Sequence, residues 1–327
     1  MPERLKVVYI GGFGRSGSTL LSRLLGEAPG VVPAGELFEL WKRGYIENQL
    51  CGCGEPFLSC EFWRKVSEEA FQMPAEDVPA QELEAERLRV HGRTAIPRLW
   101  VRTFRTAAYE VLLEDYLGVL ERVYASVASV AGAHTVVDSS KVPQYAWLLS
   151  RAPTIDLHVV HLVRDSRGTA YSWRRRKLRP EIHWQLQEMD RQSSLRSSLE
   201  WDLFNFMLDA RRSTFASYLV VRYEDLISDP NGCLAEISAA VGEDMAPPAD
   251  LSGPIELSMS HTASGNPSRF DIGSTRLTRD DEWMDQMQPL ERMLVTAVTA
   301  PGLRAYQYPV KRNKGRSSMT KSFGRPR

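Results

Sequence analysis

Residues 12–19, Gly12-Phe13-Gly14-Arg15-Ser16-Gly17-Ser18-Thr19, have the glycine spacing of a phosphate-binding loop, G-x-x-x-x-G-K-[ST], except that Ser18 stands in the lysine position. Such a loop holds an anion on backbone N–H groups and on the N-terminus of the helix that follows. In a nucleoside triphosphatase the lysine reaches the β- and γ-phosphates, and the next hydroxyl ligates magnesium. A loop with Arg15 and no lysine lacks that reach. It suits a single 5′-phosphate bearing a transferable group.

Three further segments could complete a site. Glu36 closes Pro33-Ala34-Gly35-Glu36 and could take the proton of an attacking hydroxyl. Glu39 is a reserve candidate, His183 a weaker one, and capping of a helix starting near Leu37 is the structural alternative for Glu36. Lys141 ends Val137-Asp138-Ser139-Ser140-Lys141 and could join Arg15 in stabilising charge on a departing group. Asp138 competes there as a magnesium carboxylate. Arg164 and Ser172, eight residues apart, could grip one dianion. Two helical turns rise about 12 Å, so the pair is expected to meet only if a loop precedes the helix. The alternative is a capped helix with Arg164 in an ordinary ion pair.

Taken together, these segments resemble the sulfotransferases that use 3′-phosphoadenosine 5′-phosphosulfate. Arg15-Ser16-Gly17-Ser18-Thr19-Leu20 is similar to their R-S-G-[ST]-[ST]-L loop, which binds the 5′-phosphosulfate. Arg164-Asp165-Ser166-Arg167 through Ser172 resembles their R-D-P-R-x-x-x-x-S segment, which binds the 3′-phosphate; Ser166 replaces the proline and leaves the spacing intact. Glu36 and Lys141 are similar in place to the catalytic glutamate and lysine of the tyrosylprotein branch. The resemblance implies in-line transfer of a sulfuryl group to a hydroxyl of a small molecule, carbohydrate or phenol, with Glu36 as base and no metal. It further implies that Arg222-Tyr223-Glu224-Asp225-Leu226 supports the nucleotide, although helix capping by Asp225 explains that stretch equally well. It places Asn266 and Arg269 on a loop closing over the donor, with Arg269 on the 3′-phosphate or adenine. The 3′-phosphate site is what separates this donor from ATP. The rival readings are a kinase or triphosphatase using magnesium-ATP and Asp138, and a noncatalytic nucleotide-binding module in which Glu36 and Lys141 are structural.

Cys51, Cys53 and Cys60 form C-x-C-x₆-C, three ligands where a structural zinc site takes four in tight pairs. His91 would complete the set only by coincidence. The expected role is that of small residues packing a tight turn before Phe62 and Trp63, with a redox pair or zinc as alternatives.

The 327 residues hold 41 Lys plus Arg against 41 Asp plus Glu, so no global field recruits nucleic acid or a membrane surface and any electrostatic recognition must be local. Arg174-Arg175-Arg176-Lys177 reads as a solvated helical face. Residues 311–327 carry seven Lys/Arg and no acid and read as a solvated tail. No apolar run approaches the roughly 20 residues of a spanning helix. With no leader-like cleavage pattern and only four cysteines, the expected compartment is the cytoplasm.

The elements that must position these residues are short β-branched runs at 7–10, 31–34, 135–137, 157–163 and 218–221, separated by helical patterns. They predict an α/β fold of the P-loop type: a doubly wound, mainly five-stranded parallel sheet flanked by helices, in a single domain over 1–310. Residues 37–134 read as a helical insertion containing one long helix over 107–131. Ligands of open α/β sheets bind beyond the carboxyl ends of the strands, and the glycine loop, Glu36, Lys141 and Arg164 all follow such ends.

Overall fold

The five apolar runs pair into one parallel sheet. In the computed structural model, which describes residues 4–92, 97–98, 101–247 and 249–310, the strands are β1 (Leu5–Gly11), β2 (Val31–Gly35), β3 (Thr135–Lys141), β4 (Ile155–Val163) and β5 (Ser217–Arg222). Their order is β2-β3-β1-β4-β5, every pair parallel. Period-two alternation gives β1 two buried faces: Val7 and Tyr9 enter one core, Val8 and Ile10 the other.

The Val8 face is covered by α1 (Ser18–Gly26), through Leu21, Leu24 and Leu25, and by the helix Pro230–Val241. The Tyr9 face is covered by the insertion, whose Trp41, Trp63, Tyr116 and Tyr124 are fully buried. Ala107–Ala131 is one unbroken helix. Thr106 caps it by accepting the Tyr109 N–H, and Gly132 ends it at φ 62°, where glycine has no Cβ penalty. The chain after β2 departs from an α-helix: a 3₁₀ turn, Leu37–Glu39, runs into a π-helix, Leu40–Ile46.

Strand order reverses between β1 and β4, because the chain leaves β1 toward β2 and leaves β4 toward β5. The gap outside their carboxyl ends is the switch point of the sheet. The glycine loop follows β1 there, and Arg164 follows β4. Two short antiparallel strands, β6 (Ile255–Leu257) and β7 (Gly273–Thr275), bracket a segment that covers the edge strand β2. Ala263 N–H donates to the Ala34 carbonyl at 2.9 Å, and Glu36 N–H donates to the Ser264 carbonyl at 3.0 Å. Covering an edge in this way satisfies its open backbone groups. Among the described residues no helix is long and apolar enough to cross a membrane. The basic tail lies outside the described residues.

Candidate active site

A cleft of about 440 Å³ opens at the switch point. Its wall carries Arg15, Arg23, Arg43, Lys141, Arg164, Lys177, Arg179 and Arg276 against only Glu36, Asp190, Asp271 and Asp280. A chain with no net charge therefore concentrates positive charge at one place, the arrangement that attracts an anion. Of the residues that the resemblance assigns to catalysis or donor binding, Ser16 and Arg269 are off this wall, and so are the alternatives Glu39, Asp138 and His183.

The loop is shaped by Gly17, which sits at the N-cap of α1 with φ 95° and no side-chain cap. A Cβ on Gly17 would lie 2.7 Å from the Tyr223 ring, so both backbone angle and space require glycine. Ser18, Thr19 and Leu20 turn the first turn of α1 toward the cleft, and Ser16 braces the loop from behind by donating to the Phe13 carbonyl at 2.8 Å. Arg15 holds a left-handed φ of 71° and lies over Trp173 at 5.0 Å. Its Nη2 meets Met189 Sδ at 3.3 Å, while its Nη1 is buried with no partner. Burial lowers the pKa of Arg15, and it lowers that of Lys177 on the same wall, helped by the charges of Arg15 and Arg175. An orphaned guanidinium N–H, a second cation and an uncapped helix N-terminus fit an oxyanion at this point.

Glu36 and Lys141 meet at the ends of neighbouring strands. Lys141 Nζ donates to Glu36 Oε1 at 2.5 Å and to the Ser139 carbonyl at 2.8 Å, and Arg43 Nη1 lies 3.9 Å from Glu36 Oε2. Burial by itself would raise the Glu36 pKa, but Lys141 and then Arg43 outweigh it and hold the carboxyl below its ordinary value. Glu36 occupies the N-cap of the Leu37–Glu39 turn without making a side-chain cap bond. Glu39 pairs with Arg43 at 3.4 Å and is off the cleft wall. His183 is off it too, exposed, with Nε2 3.3 Å from the Asn48 carbonyl.

Asp138 does not face the cleft. It is buried on the Tyr9 side of the sheet, accepting from Ser140 N–H at 2.7 Å, from Ser140 Oγ and from the Tyr124 hydroxyl. Burial pushes its pKa up to about 6. A magnesium carboxylate needs the wall of the cleft, and alternation along β3 turns Asp138 away from it.

The loop expected between Arg164 and its helix is absent, a correction to the sequence reading. The helix Ser166–Arg174 starts at once after Asp165, which caps it by accepting the Arg167 N–H at 2.9 Å. Arg164 instead passes beside the first turn, where Gly168 makes room: a Cβ there would lie 3.3 Å from Arg164 Nε. Arg164 and Ser172 thereby line the same cleft. The guanidinium stacks on Tyr223 at 4.7 Å, donates to the carbonyls of Arg15 at 3.3 Å and Asp280 at 2.8 Å, and pairs with the Asp280 carboxylate at 3.2 Å. Asp225 makes no cap bond to the helix Tyr223–Ser228 and lies 3.8 Å from Arg222.

Asn266 reaches the cleft with its backbone N–H 3.3 Å from Thr19 Oγ1. Arg269 is off the cleft wall: it is 1% exposed and donates to the Leu50 carbonyl at 2.7 Å, while its Nε and Nη1 are buried with no partner. The run from Arg174 is a second correction. The helix ends at Arg174, and Arg174, Arg175 and Arg176 pair with Glu291, Asp280 and Glu188, leaving Lys177 to line the cleft.

Sequence reading missed Arg23, Arg43, Arg179, Arg276 and Trp173, which belong to no motif and reach the cleft only through tertiary packing. It also missed His261. The cysteines converge on His261 and not on His91, which is buried against Phe38 with ring centroids 4.9 Å apart.

A model of the sulfotransferase family matches residues 8–247. No curated protein matches the chain. Among solved structures, the sulfotransferase domain from the Synechococcus PCC 7002 olefin synthase is 18% identical with a TM-score of 0.50, over 94% of this chain and 97% of that one. The sulfotransferase domain from the curacin biosynthetic pathway is 16% identical with a TM-score of 0.48, over 94% and 99%. At 18% identity the likeness to the Synechococcus domain speaks for the fold.

Proposed function

The chain belongs to the sulfotransferase family, and on that premise we propose that it transfers a sulfuryl group from 3′-phosphoadenosine 5′-phosphosulfate to a hydroxyl of its acceptor. The observation that carries this reading is one cleft holding two separate anion grips. Arg15, with its orphaned Nη1, stands at the uncapped N-terminus of α1, and Arg164 with Ser172 stands across the switch point. One grip suits the 5′-phosphosulfate and the other the 3′-phosphate that ATP lacks.

Glu36 is the general base in this proposal. Held ionised by Lys141 and Arg43, it takes the acceptor's proton as the hydroxyl oxygen bonds to sulfur and the bond from sulfur to the bridging oxygen breaks. Negative charge grows on that bridging oxygen, and Lys141 and Arg15 are the cations placed to stabilise it. The buried, inward-facing Asp138 argues against a magnesium-ATP enzyme.

Calorimetric titration with 3′-phosphoadenosine 5′-phosphate in the presence of EDTA tests the proposal. Saturable binding that is at least tenfold tighter than for adenosine 5′-phosphate is expected. No binding, or binding only of ATP with magnesium, overturns it.

A further inference from the structure

Outside the reacting cleft, the cysteine turn and the 258–272 segment bring four soft ligand atoms together. Cys51 Sγ, Cys53 Sγ, Cys60 Sγ and a ring nitrogen of His261 all lie within 4.8 Å of one another. The individual edges are 3.7 Å from Cys53 to Cys60, 3.3 Å from Cys60 to His261 Nδ1 and 4.0 Å from Cys51 to the same nitrogen. A tetrahedral zinc with Zn–S of about 2.3 Å and Zn–N of about 2.0 Å has edges of roughly 3.8 Å between sulfurs and 3.5 Å between sulfur and nitrogen. The three edges bracket those values, and the widest pair needs to close by only about 1 Å.

We propose that Cys51, Cys53, Cys60 and His261 are the four ligands of a structural zinc ion. Three thiolates and one imidazole form a set that selects zinc over hard cations, and four protein ligands leave no open position for catalysis. The surroundings hold the ligands in place. The His261 ring lies flat on Phe62, with centroids 5.0 Å apart and planes 7° apart, and its carbonyl accepts from Trp63 Nε1 at 3.0 Å. Gly52 permits the two segments to touch, since a Cβ there would lie 2.4 Å from the Ser260 carbonyl oxygen.

A disulfide between Cys53 and Cys60 would leave Cys51 and His261 without a purpose in the same cluster. A zinc ion uses all four and ties the cysteine turn at 51–60 to the segment that bonds Ala34 and Glu36 and presents Asn266 to the cleft. Its role is to fix two walls of the cleft without touching reactants.

The test is metal analysis of the full chain purified under reducing conditions, followed by cobalt substitution. About one zinc per chain is expected, and cobalt in its place should give intense visible bands of a tetrahedral ion together with thiolate-to-cobalt charge transfer. Removing the metal with a strong chelator should lower Tm by at least 5 °C, and Cys60→Ser and His261→Ala should each lose or weaken the cobalt spectrum. The wild-type spectrum decides the matter if a variant fails to fold. Zinc below a tenth of an equivalent with no cobalt bands, octahedral cobalt without charge transfer, or a Cys53–Cys60 disulfide found by alkylation and mass spectrometry in the reduced preparation overturns the proposal.

Discussion

Lys141 Nζ lies 2.5 Å from Glu36 Oε1, joining two residues 105 positions apart at the carboxyl ends of adjacent strands. Both pairings of β3 lose register near the pair, that with β2 between Pro33 and Gly35 and that with β1 between Tyr9 and Gly11, opposite Lys141. Lys141 itself holds a left-handed φ of 70°, a conformation that costs on the order of 1 kcal/mol for a residue with a Cβ. Such strain persists only where surrounding contacts impose it, and here it aims the ammonium at the carboxylate.

The pair fixes the pH behaviour of Glu36, the proposed base. The Glu36 pKa is lowered in the fold, so the carboxylate stays ionised as pH falls to and below the ordinary glutamate value of about 4.3. The pair also adds stability above that pH and loses it as pH falls through the lower folded value. The acid limb of kcat/KM should accordingly lie below about pH 4.5, and Glu36→Gln should cut kcat by about 10²–10⁴ while leaving the affinity for 3′-phosphoadenosine 5′-phosphate within about twofold. Steady-state rates across pH 4–9 and a parallel titration check both; unchanged turnover removes Glu36 as base.

Lys141→Met should act in two ways. Loss of the ammonium leaves burial as the largest influence on Glu36, so the acid limb should move to higher pH in the variant. Loss of charge at the bridging oxygen should lower kcat by roughly 10²–10³ beyond that shift. A pH–rate profile separates the effects, because only the first can be recovered by raising pH.

Much of this arrangement was legible in the chain. The 107–131 helix carries a cap, an apolar stripe and a terminal glycine, all local signals, and its structure matches its pattern. β3 runs four residues beyond its apolar core, through Asp138, Ser139 and Ser140 to Lys141, because polar residues there are satisfied inside the sheet end and hydropathy cannot register that. His261 stands 201 residues from Cys60, with no spacing rule to connect them. Arg269 could be placed on its loop from the sequence, but its hydrogen bond to the Leu50 carbonyl, 219 positions away, could not.

Arg164 offers a prediction specific to the 3′-phosphate. It is pinned to Asp280 and stacked on Tyr223, so a bound dianion would take over from Asp280 an arginine already in place. A charge-assisted hydrogen bond contributes about 1.5–3 kcal/mol, so Arg164→Ala should weaken 3′-phosphoadenosine 5′-phosphate by roughly 10- to 150-fold. Binding of adenosine 5′-phosphate should barely change. Equal losses for both nucleotides would show that Arg164 does not read the 3′-phosphate.

Asp138 separates a sulfuryl transferase from a magnesium-dependent one through its stability. Its folded pKa of about 6 exceeds the unfolded value of about 3.9. The stabilising effect is complete below the unfolded value and is lost as pH rises through the folded one. Asp138→Asn keeps an acceptor for both Ser140 bonds and can donate to the Tyr124 oxygen, whose own proton can turn to the Tyr145 hydroxyl 3.3 Å away. Thermal melts between pH 4 and 8 should therefore show the wild type losing, relative to the variant, a Tm component between about pH 4 and 6, with the variant at least as stable at pH 8. Binding of 3′-phosphoadenosine 5′-phosphate should persist in the variant and ignore magnesium. If Asp138 were a magnesium ligand, magnesium-ATP would raise the Tm of the wild type and fail to raise that of Asp138→Asn, the opposite of what a carboxylate facing Tyr124 and Tyr145 allows.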